Sequence, residues 1–93
     1  MDVRHSVEMS ISWEEFFRLL PAAVEEFALE GQVVQWSDRG CRGTIRLIPL
    51  PVHRLGSVIV PRHRVEMVLE ARSDAEGVTF IERFRRAFLR GGG

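Results

Sequence analysis

The side chains best suited to chemistry in this sequence are arginines and histidines near its middle: Arg39, Arg42 and Arg46, then His53, Arg54, Arg62, His63 and Arg64. A guanidinium is a planar fork of donors that matches the oxygens of phosphate or carboxylate. Arg42, Arg46, His53, Arg54, Arg62, His63 and Arg64 therefore form a candidate contact for an anionic ligand or an acidic partner. A histidine in an arginine-lined pocket is also the minimum of a general-base site. That enzyme reading ranks lower, because no nucleophile turn or cofactor motif accompanies the histidines. The glycines at 31, 40, 43 and 56 fit neither a phosphate-loop nor a dinucleotide spacing, and no GxSxG frame occurs. His53, His63 and Cys41 are metal-ligand types, but their spacing matches no standard site, so neither a metal nor a cofactor is expected. The competing explanation for the arginines is plain solvation, or pairing with Glu66, Glu70 and the acidic first helix.

Charge is balanced overall and unbalanced along the chain. Thirteen basic and thirteen acidic residues cancel, yet residues 1–38 hold eight acidic and two basic residues while residues 39–93 hold eleven arginines and five acidic residues. Such a split marks an anion-binding face, or pairs the two halves within one fold or between subunits. The zero net charge and the lack of an aromatic base-stacking motif count against nucleic acid. Cys41 is the single cysteine, which excludes an intrachain disulfide. No apolar run approaches the roughly 20 residues needed to span a bilayer, and the first ten residues lack a signal-peptide core, so a cytoplasmic location is expected.

The elements that must position these residues follow from periodicity. Val3, His5, Val7, Met9 and Ile11 alternate with polar residues, which predicts a half-buried strand over 3–11 with His5 as a neutral, hydrogen-bonded residue on its apolar face. Ser12 and Glu15 make a capping box, so a helix starts at Trp13. Its stripe of Trp13, Phe16, Phe17 and Leu20 continues through Leu20, Ala23, Val24 and Phe27, which predicts a bent helix to about Glu26 with Pro21 at the bend. Strands are expected over 32–37 and 44–48, joined by a turn around Asp38, Gly40 and Gly43. Pro49 and Pro51 predict a semi-extended loop over 49–56, and a strand follows over 57–71 with an irregularity at Pro61. There Val65, Met67, Leu69 and Ala71 face inward. Ser73 and Glu76 form a second capping box, opening a helix from Asp74 to about Arg90 with Phe80, Ile81, Phe84, Ala87 and Phe88 buried, and Gly91, Gly92 and Gly93 fraying after it.

The expected fold class is therefore α+β: a two-layer sandwich with a mainly antiparallel four-stranded sheet and two helices on one face, in the order β-α-β-β-β-α. A single domain and a single core fit 93 residues that are 45% hydrophobic. A domain of this size buries only about 60–65% of its unfolded surface, so self-association would add stability. Trp36, the apolar segment Pro49, Leu50, Pro51 and Val52, and the sheet edges are the features a partner would cover. The functional expectation is a protein-interaction or accessory module that forms a homo-oligomer. The anion- or nucleic-acid-binding reading and the His-general-base enzyme follow it in that order.

Overall fold

A strand with one wet face and one dry face needs something to cover the dry one, and two amphipathic helices supply the cover. The computed structural model describes residues 2–90. It contains β1 (Asp2–Met9), α1 (Trp13–Leu19), a 3-10 turn (Leu20–Ala22), β2 (Glu26–Glu30), β3 (Val33–Asp38), β4 (Cys41–Leu55), β5 (Val58–Ala71) and α2 (Asp74–Arg90). All neighbouring strands are antiparallel, in the spatial order β1-β5-β4-β3-β2. The α+β class and the antiparallel sheet stand as read from the sequence, but the sheet has five strands rather than four and the order is β-α-β-β-β-β-α. β1 and β2 occupy opposite edges, so the connection through α1 crosses the whole sheet.

Both helices lie over the same face. Phe16 of α1 stacks on Phe88 of α2 at a centroid distance of 5.0 Å, and Trp36 of β3 stacks on Phe80 of α2 at 4.2 Å. Beneath them Val34, Ile45, Val65, Met67 and Leu69 are buried in one cluster with Phe16, Leu20, Phe80, Phe84 and Phe88. Each fully buried side chain of this kind stabilises the fold by about 1.5–3 kcal/mol. The helix starts are built as the sequence indicates: the Ser12 hydroxyl accepts from the Glu15 N–H at 3.1 Å and the Ser73 hydroxyl from the Glu76 N–H at 3.2 Å. In α1 the guanidinium of Arg18, in the last turn, is bonded to Glu15 in the first and holds that carboxyl below its ordinary range.

Gly43 sits in the middle of β4, directly between Trp36 and Leu69 of the neighbouring strands. A Cβ there would lie 2.0 Å from the Val68 carbonyl oxygen, so only glycine lets β4 and β5 approach this closely.

Two expectations need correction. The helix expected to reach Glu26 ends at Leu19, and after the 3-10 turn the chain forms β2. Pro21 stands in the first turn of the 3-10 segment, where its missing N–H costs nothing. Phe27, counted as helical because of its spacing from Leu20 and Val24, instead reaches Phe17 from a strand, at 6.2 Å between ring centroids. Gly31, with φ of +63°, closes the β2–β3 hairpin. The second correction concerns residues 49–56, expected as a loop. They belong to β4 and to its turn. His5 lies on the helix face as expected, but its Nε2 is buried without a hydrogen-bond partner among the described residues. The expected fraying of 91–93 lies outside the described residues.

Candidate functional site

Unequal strand length creates the feature that dominates the surface. β4 has 15 residues and β5 has 14, against 8 in β1 and 6 in β3. The last β1 pairing on β5 is Met9 with His63, and the first β3 pairing on β4 is Val33 with Arg46. Past these points β4 and β5 have only each other, and they continue as a two-stranded arm that helps stretch the molecule to 46 Å in its long dimension. The register shifts between Leu50 and His53, so Pro51 and Val52 form a bulge opposite Pro61. Prolines are accommodated because an arm of two strands has outward-facing N–H positions that pair with nothing. Gly56, with φ of +63°, supplies the first central position of the tip turn.

The arm is apolar and wet at once. Val52, Leu55, Val58 and Ile59 are 45%, 67%, 57% and 54% exposed, and every residue from 51 to 59 is exposed. By the strand register Arg54 pairs with Ile59, while His53 pairs with Val60 and Leu55 with Val58 on the opposite face.

The structure spreads the seven candidate residues along this ribbon. Arg42 is at the far end of the sheet, bonded to Glu70 at 3.1 Å on the helix-free face. Arg46 lies on that face opposite Glu66. His53 and Arg54 are exposed on the arm. Arg62 is half-buried at the arm's base and pairs with Glu8 of β1 at 2.7 Å, and Arg64 stands opposite the same Glu8. His63 faces the other way, its Nδ1 bonded to the Ile11 carbonyl at 2.7 Å and so donating to it. Arg42 and Arg54 are twelve positions apart on one strand, about 40 Å at 3.3 Å per residue. The seven therefore do not converge on one spot. Arg62 and Arg64 share one side of the ribbon with His53, Leu55 and Val58 farther along it, whereas Arg54, opposite Ile59, lies on the other side.

The clefts are elsewhere. An open one of about 760 Å³ runs over the helix-free face beside Gln35, Arg42, Thr44, Val68 and Glu70, and a smaller one of about 380 Å³ lies at the β3–β4 turn. Neither is lined by a histidine. Cys41 begins β4 and His53 is near its end, so the metal set conceivable from residue types does not assemble, and among the described residues no group of three His, Cys, Asp or Glu side chains is arranged to hold a metal ion.

A polar cluster missed at the sequence level ties the β3–β4 turn to α2. Asp38, read there only as a turn former, is buried; it accepts from the Glu25 N–H at 3.1 Å and pairs with Arg83. Buried Cys41 beside it contacts the Glu76 carbonyl at 3.8 Å. Burial first, and then the carboxylates of Glu76 and Asp38, push this thiol up from its ordinary range. The turn composition around Asp38 gave no sign of a partner forty-five residues away. Comparison with known protein families, with curated proteins and with solved structures finds no match to this chain.

Proposed function

We propose that this protein is a self-associating interaction module whose contact element is the β4–β5 arm. The observation that carries the reading is the exposure of Leu55, Val58 and Ile59 on a ribbon that, among the described residues, has no third strand paired to it. An isolated two-stranded ribbon is marginal in water, and docking would order it and remove its apolar tip from solvent. Trp36, considered for the same role, is committed to the core. An anionic small ligand fits less well, because Arg62 and Arg42 already have Glu8 and Glu70 as partners. For a nucleic-acid backbone, the other arginines of the ribbon, Arg46, Arg54 and Arg64, are spread along it and divided between its two faces.

The test is molar mass by light scattering across a concentration series, for the wild type and for Leu55→Asp with Val58→Asp. The wild type is expected to form a dimer that the double variant loses without losing its melting transition. A wild type that stays monomeric at millimolar concentration would end the reading.

A further inference from the structure

The arm needs a seat, and the chain carries one whose charge and pattern are complementary to it. From residue 39 to residue 65 there are six arginines and no acidic residue; from 19 to 38 there are Glu25, Glu26, Glu30 and Asp38 and no basic residue. The acidic block includes β2, an edge strand whose five residues are all exposed. Within one molecule the arm cannot reach β2, since β3 lies between β2 and β4 and stops pairing at Arg46, before the arm begins. A second molecule has no such obstacle.

The two surfaces also match in their division between faces. Phe27 and Leu29, 38% and 48% exposed, point to the same side of β2 as Trp36 and Val34, and Glu26, Ala28 and Glu30 point to the other. The arm has Leu55, Val58 and Val60 on one side and Arg54 with Ile59 on the other. Beyond the Leu50–Arg62 pair the arm has five residues in one strand and four in the other, about 17 Å and about 13 Å, which matches the roughly 17 Å of a five-residue strand.

We infer that the arm of one molecule lies along the β2 edge of a second copy, with Leu55, Val58 and Val60 against Phe27 and Leu29 and with Arg54 facing Glu26 and Glu30, and that the exchange is reciprocal about a two-fold axis. This rests on the arm being the contact element of a self-associating protein. Reciprocity makes each contact twice and closes the assembly as a dimer. The contact is mainly one of side chains, because Pro51 and Pro61 interrupt the row of donors along the arm.

The experiment is sedimentation equilibrium on the full chain at low and moderate salt, with Arg54→Glu, Glu30→Arg and the two combined, each checked by a thermal melt. Each single variant is expected to raise the dimer dissociation constant about tenfold at low salt, and the combined charge swap to recover most of that loss. If Arg54→Glu weakens the dimer while Glu30→Arg neither weakens it nor restores it, the seat on β2 is wrong and the arm remains the contact element. If the wild type is monomeric throughout, both readings fall. Duplex DNA added to the wild type serves as the third arm: salt-sensitive binding that Arg54→Glu abolishes, with no change in dimerisation, would overturn the inference in favour of nucleic acid.

Discussion

Val65 and Val58 are seven residues apart on one strand and share a side-chain type, yet Val65 is completely buried and Val58 is 57% exposed. The difference comes from their neighbours. Val65 has β1 on one side, β4 on the other and the helix layer above; Val58 has only Leu55 across the ribbon. Strand formation itself is indifferent to this contrast, because cross-strand pairing needs one partner and burial needs several. The body of the molecule therefore holds the stability, and the arm holds exposed apolar surface that contributes little to it. Substitutions should separate the two regions cleanly: large effects on melting with none specific to assembly in the body, and the reverse in the arm.

The largest effect is expected from Phe84→Ala, which removes a fully buried ring from between Phe80 and Phe88 and should cost about 3–5 kcal/mol in a denaturant titration. Gly43→Ala comes next. Its new methyl meets backbone at Val68 rather than a movable side chain, so β4 must shift, with a loss of about 3 kcal/mol. A near-neutral result there would mean that the body yields as easily as the arm, and the comparison would lose its basis. Asp38→Ala deprives Arg83 and the Glu25 N–H of their acceptor and should cost about 2 kcal/mol, less than a deeply buried pair because Arg83 is partly exposed.

A smaller effect in the body depends on pH. The folded state raises the Cys41 thiol above its ordinary range, so the folded chain holds that proton more tightly than the unfolded chain. The resulting stability is fully present below the unfolded thiol value, near about 8.5, and is lost as pH rises through the folded one. Melts from neutral to alkaline pH should show a decline above that point, and Cys41→Ala should lack that part of it. An identical decline in the variant would assign the loss to other groups. The smallest effect on stability is expected in the arm, where Leu55→Ser with Ile59→Ser should leave the unfolding free energy within about 0.5 kcal/mol while weakening self-association.

How much of this was legible in the sequence depended on how many neighbours an element has. β1, the body of β5 and α2 were read close to their observed bounds, because each presents one face to the core and the pattern shows it: Val65, Met67, Leu69 and Ala71 in the strand, Phe80, Phe84 and Phe88 in the helix. β2 was not. Its residues Glu26–Glu30 are all exposed, lack β-branched side chains and follow a helix whose apolar spacing runs on through Val24 and Phe27. The outer part of β4 was hidden by Pro49 and Pro51, which rule out a central strand but not a ribbon with two free edges. For the candidate site, the outward direction of Arg62 and Arg64 and the opposite direction of His63 follow from alternation, and the structure has them so. Their partners Glu8 and Ile11 lie more than fifty positions away, and no local pattern announces a contact at that separation.

The three prolines at 49, 51 and 61 have a consequence beyond the shape of the ribbon. A flat apolar strand with a full set of free donors is a template on which identical strands can stack without limit, as in a fibril. Each proline deletes one donor from the row, and the bulge at Pro51 and Val52 bends what is left. An arm of this composition can meet a partner through its side chains and still refuse to seed open-ended growth, so the same residues that obscured the strand in the sequence keep its exposed surface safe in a crowded solution.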